Sequence, residues 1–183
     1  MLPHNSINAQ TTIWSLTLAL MFFAGWLDLR SRRIPNWLTV SGFLAGVGVH
    51  AWITGWRGVL MSLEGAGLAL AILLPLVLMR ALGAGDWKLM GAAGAFLGPL
   101  MLIFVLLASI FIAGLMGVVR MMKDHRVMAT LRNMRELVRG FIVFGLKPHP
   151  TISIDNPELL KLPFGVAAAI GTMVCFAAAR WGL

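Results

Sequence analysis

Two aspartates stand where apolar stretches end: Asp28 closes one and Asp86 opens another. Two carboxyl groups held together can split a peptide bond. Like charges a few ångströms apart cannot both ionise cheaply, so the pair shares a proton. The ionised member takes a proton from an attacking water, and the protonated member gives its own to the carbonyl oxygen as charge develops there. Neither a metal nor a nucleophilic side chain is required, and no cofactor is expected. The segment GAGDWKLMG around Asp86 supports this chemistry. Gly83 and Gly85 carry no side chain to obstruct an extended peptide and can take dihedrals closed to other residues, which makes them candidate substrate-binding positions. Lys88, two residues beyond Asp86, points to a different helical face and is expected to snorkel to lipid headgroups or to meet the substrate. Helix-end electrostatics order the pair: Asp86 opens a helix, where a carboxylate is favoured, and Asp28 closes one, where it is not. Asp86 is therefore the expected ionised partner and Asp28 the expected holder of the proton.

The remaining reactive residues offer less. Cys175 is the lone cysteine and lies in an apolar run. It can form no intrachain disulfide. The histidines, at 4, 50, 125 and 149, are scattered without ligand spacing, so no metal site is expected. Of the other acids, Asp124, Glu136, Asp155 and Glu158 fall in a polar connection and read as solvated surface. Glu64, sixteen residues from Arg80 on the same apolar run, lies too far from the Asp28 level to join it; it reads as an interfacial acid on the opposite face of a membrane or as a partner for a neighbouring helix.

These residues need elements to position them, and the composition says which. Of 183 residues, 59% are hydrophobic and 12% charged, against about 25% charged in soluble domains, and the mean hydropathy is +0.86. The chain is an all-α integral membrane protein in a single domain over 1–183. A span needs about 20 apolar residues. The apolar runs predict six transmembrane helices at about 13–29, 37–53, 59–79, 81–97, 100–119 and 163–179. Gly98-Pro99 divides the fourth from the fifth, because proline lacks a donor and clashes with the preceding turn. Thirteen of the 15 Lys and Arg fall on one side, all but Arg57 and Arg180. That side is cytoplasmic by the positive-inside rule, which leaves both termini outside. The net charge of +8 thus reflects membrane orientation, and no nucleic-acid partner is expected. Residues 120–162 form the one long polar connection. There Val127, Leu131, Met134, Val138, Phe141 and Ile142 recur at helical spacing between arginines, as in a basic amphipathic helix on an anionic inner leaflet or a solvated cytoplasmic helix. Asp28 and Asp86 fall at matched depth on the cytoplasmic side.

At these residues the sequence resembles the type IV prepilin peptidases, membrane aspartic proteases of the GxGD class. DLRSRRIPN, from Asp28 to Asn36, looks like the family's first aspartate followed by its Ile-Pro-Asn; GAGDWKLMGAAGAFLG, from Gly83 to Gly98, looks like its GxGDxKL motif; LPFGVAAAIG, 162–171, looks like its last span. The resemblance implies that Asp28 and Asp86 are the catalytic pair. It also implies a bacterial inner-membrane enzyme that cleaves a prepilin leader at the cytoplasmic face, just before the pilin's hydrophobic helix. Long members carry an amino-terminal cytoplasmic insertion with paired cysteines and also methylate the new amino terminus. That region is missing here, which puts methylation in doubt and leaves the peptidase intact, and the short form is similar to the enzymes serving Flp/Tad-type pili. Two other readings use the same residues: a small proton-coupled transporter, disfavoured because both acids sit at one face, and an inactive pilus or secretion assembly factor.

Overall fold

The computed structural model describes residues 4–124, 135 and 163–181, with side chains from residue 9 onward. Most of the expected amphipathic segment, including Val127 to Ile142 except position 135, lies outside the described residues. Five long helices occur among the described residues: α1 (His4–Ser31), α2 (Asn36–Thr54), α3 (Trp56–Leu78), α4 (Ala84–Lys123) and α5 (Phe164–Trp181). No strand occurs among the described residues, and all five helices are long and apolar enough to cross a membrane. α4 runs through 40 residues but leaves helical geometry at Gly98 (φ 70°, ψ 176°). It starts at Ala84, three residues after the start expected for the fourth span.

The helix ends are set by local chemistry. α1 stops where Arg32 takes a left-handed conformation (φ 51°) and returns its N–H to the Asp28 carbonyl at 2.9 Å. α3 ends in a Schellman motif: Arg80 (φ 55°) donates to the Val77 carbonyl and Ala81 to that of Leu76. Gly55, at φ 63° and ψ −142°, turns α2 into α3 through a conformation that only glycine adopts cheaply.

The break in α4 orphans backbone carbonyls. Pro99 has no N–H to offer Ala95, and the turn at Gly98 removes the partner of Phe96. Two buried side chains replace those donors: Ser62 Oγ donates to Ala95 O at 2.7 Å, and His50 Nε2 lies 2.7 Å from Phe96 O. A carbonyl only accepts, so the His50 proton sits on Nε2.

α3 and the first arm of α4 touch backbone to backbone at Gly65 and Gly94. A methyl group on Gly65 would run into the Gly94 carbonyl and lie 2.8 Å from the Gly98 Cα. Neither obstacle is a side chain that can turn away. Gly65→Ala should cost about 1–3 kcal/mol or more, measured as a lowered melting temperature in detergent. Gly67→Ala, two residues on with nothing within 4 Å, should not destabilise.

Candidate active site

One end of the bundle gathers the C-terminus of α1, the N-termini of α2, α4 and α5, and the turn after α3. Asp28 lies in the last turn of α1 and is only 7% exposed. Its Oδ2 accepts the Gly165 backbone N–H at 2.9 Å. Gly165 is in the first turn of α5, where N–H groups have no partner within their own helix. Asp28 thus caps a helix 137 residues away in the chain. Gly165 also has to be small: a methyl there would lie 3.0 Å from Asp28 Oδ2 and 3.3 Å from Cγ.

Asp86 occupies the first turn of α4. Its Oδ1 is buried and meets no hydrogen-bond donor of the protein among the described residues. Asp28 and Asp86 are close enough for their charges to act on each other, and Arg32 acts on Asp28 in the same way. The two acids expected to pair thus lie at the same end of the bundle within electrostatic reach of each other, and Asp28, being buried, is not an acid merely hydrated at a helix end. Helix ends do not order the two acids. Asp28 closes α1 but also faces the positive end of α5, so both acids meet a helix N-terminus.

The glycines have a different role from the one their dihedral freedom implied. Gly83 precedes α4 with φ −70° and ψ 141°, accessible to any residue, and the left-handed glycines among the described residues are Gly55 and Gly98. What Gly83 and Gly85 provide is space. A methyl on Gly83 would lie 3.1 Å from Asp86 Oδ2, and one on Gly85 would lie 3.3 Å from Ile34 Cβ and 3.5 Å from its carbonyl oxygen. The α1–α2 loop thus rests on the start of α4. Lys88 ties the same two segments: its Nζ donates to Asn36 Oδ1 at 3.0 Å. Trp87 Nε1 donates to Leu70 O at 2.8 Å, fixing the first turn of α4 against α3. Glu64 is exposed on α3, and no group of three or more His, Cys, Asp or Glu that could hold a metal gathers among the described residues.

If the Lys88–Asn36 bond holds the loop in place, Lys88→Ala and Asn36→Ala should each slow turnover by about two- to tenfold, the worth of one hydrogen bond. The double variant should be no worse than either single. Loss of all activity in Lys88→Ala with Asn36→Ala near normal would place the ammonium on the reacting groups.

Gly165 and Ile34 were not singled out from the sequence as site residues, although both lie in motifs noted there. A backbone N–H carries no label in the sequence, and the only signal at Gly165 was a glycine just after Pro163-Phe164 at a helix start. Comparison with known proteins gives one result: residues 15–118 match the type IV leader peptidase family. No curated protein and no solved structure matches.

Proposed function

Since the chain belongs to the type IV leader peptidase family, we propose that it is a membrane aspartic endopeptidase that removes the leader of type IV, Flp-like prepilins at the cytoplasmic face of the bacterial inner membrane. The observation that carries this reading is the juxtaposition of Asp28 and Asp86, from α1 and α4, at one end of the bundle. Both lie within the matched residues. One carboxyl, ionised, takes a proton from water as it attacks the scissile carbonyl, and the other, protonated, donates to the carbonyl oxygen. The roles reverse as the amine leaves. Gly83, beside the Asp86 carboxyl, keeps the approach low enough for an extended substrate backbone to reach it, and Gly85 lets the α1–α2 loop close on the start of α4.

Six crossings fit this reading, with both termini outside. α4 would be about 60 Å long if straight, twice the thickness of a hydrocarbon core. Ser109 nevertheless packs against Gly171, which stands only six residues, about 9 Å, along α5 from Gly165. Eleven residues past the break, the second arm has therefore come back toward the Asp28 end. Arg120 and Lys123 then finish on the side that carries Arg30, Arg32 and Arg33. The same placement of both acids at one end disfavours a transport pathway across the middle of the bilayer.

The test is co-expression with a prepilin-type substrate whose leader ends in glycine, with the mature amino terminus read by mass spectrometry. Accumulation of uncut substrate beside well-expressed protein would favour the inactive assembly factor.

A further inference from the structure

Between α1 and α5 runs an open, almost wholly apolar groove of about 530 Å³, bordered by Leu18, Phe22, Gly25 and Trp26 on α1 and by Val166 and Met173 on α5. It is the shape of its surroundings, rather than its hydrophobicity, that distinguishes it from ordinary lipid-facing surface. The lining residues extend over 12 positions of α1, from Leu18 to Leu29, about 16 Å of helix. The groove is therefore elongated and parallel to the bundle. α1 and α5 approach closely at Gly25, where a methyl would lie 3.3 Å from Ala169 Cβ and from Gly165 O. Aromatic ridges stand up on one wall, with Phe22 73% and Trp26 56% exposed. A furrow beside such ridges takes one row of side chains from a crossing helix.

One end of the groove, lined by Leu29 and Val166, lies beside the candidate active site. Gly25 is one helical turn before Asp28, and Val166 follows Gly165, whose N–H holds the Asp28 carboxyl. We propose that this groove is the docking site for the apolar transmembrane helix of the substrate, laid along α1 and α5 so that the extended segment preceding it is delivered to Asp28. The proposal rests on the peptidase reading above and adds to it the surface that selects a membrane-spanning substrate. An acyl chain would fill the same furrow but would gain nothing from its ending beside the residues that flank Asp28 and Gly165, whereas a helix with a scissile bond at its cytoplasmic end requires that proximity.

Cross-linking tests this directly. In an Asp86→Asn, Cys175→Ser background, which leaves uncut substrate bound and no native thiol, Phe22→Cys and Phe104→Cys place single thiols inside the groove and on the exposed face of α4. The probe is a prepilin-type substrate with a glycine-ended leader and one cysteine within its apolar helix. We expect a disulfide-linked enzyme–substrate adduct from Phe22→Cys and none above background from Phe104→Cys. Equal adducts at both positions, an adduct only between two copies of the enzyme, or no adduct would overturn the docking site. Processing of the same substrate by protein retaining Asp86 separates that outcome from failure of the peptidase reading itself. As a second arm, Met173→Trp narrows the groove at an exposed wall and should raise KM for this substrate about tenfold with kcat held; an unchanged KM also counts against the proposal.

Discussion

Asp28→Asn and Asp86→Asn should each reduce prepilin cleavage at least about a hundredfold, the lower end of what a positioned acid or base contributes, while the protein still inserts and stays folded. The amide keeps the shape of the carboxyl but can neither abstract a proton nor share one. The structure explains why folding should survive. At position 28 the introduced amide oxygen can still accept the Gly165 N–H. At position 86 the buried Oδ1 has no hydrogen bond to lose among the described residues. Glu64→Gln, on an exposed face of α3, is the matched control and should retain most activity. The measurement is the ratio of mature to unprocessed prepilin, with membrane levels checked by immunoblot. Near-wild-type processing by either aspartate variant would remove that residue from the chemistry. A comparable loss in Glu64→Gln would mean that the wrong acids had been paired.

The parts of this arrangement that were legible in the sequence are those with a large local cost. An ionisable group at the edge of an apolar run is expensive enough to mark itself, so Asp28 and Asp86 stood out without any knowledge of their surroundings. Gly98-Pro99 could be read as a break because proline cannot complete the helical ladder. What the break requires elsewhere was not legible. The carbonyls of Ala95 and Phe96 need donors, and packing alone decided that Ser62 and His50 would supply them; in the sequence His50 was one scattered histidine among four. Lys88 was read as reaching out to lipid or leader because nothing local to it named Asn36, 52 positions away, as its partner. Of the two properties of glycine that the sequence suggests at Gly83 and Gly85, unusual dihedrals are not used at Gly83, whose φ is −70°, whereas the missing side chain matters at both, because a methyl would meet Asp86 or Ile34. Ordering the two acids by helix ends failed for a similar reason: the helix end that matters most to Asp28 belongs to α5.

That third helix supplies the most discriminating residue for the site. Gly165→Ala should slow turnover by about ten- to a hundredfold while leaving the protein folded. A methyl at this position would come within 3.0 Å of Asp28 Oδ2, 3.1 Å of its Cβ and 3.3 Å of its Cγ, closer than side chains ordinarily pack. The carboxyl cannot simply swing clear, because Asp28 is buried. Nor can the helices part freely, because a methyl on Gly25 would already lie 3.3 Å from the Gly165 carbonyl, which shows how closely α1 and α5 approach. The relief available is a shift of a few tenths of an ångström in the Asp28 side chain, with a longer and weaker bond from the Gly165 N–H. Such a shift is small for stability and large for catalysis, since a misplacement of about 1 Å in a reacting group costs on the order of a hundredfold in rate. The expected signature is a fall in kcat with KM and melting temperature close to wild type, whereas Gly114→Ala, with nothing within 4 Å of its added methyl, should change none of the three. If Gly165→Ala instead cleaves prepilin at the normal rate, the α5 amide does not hold Asp28 in the working enzyme. If kcat and melting temperature fall together, Gly165 is there to let the helices pack rather than to aim the carboxyl.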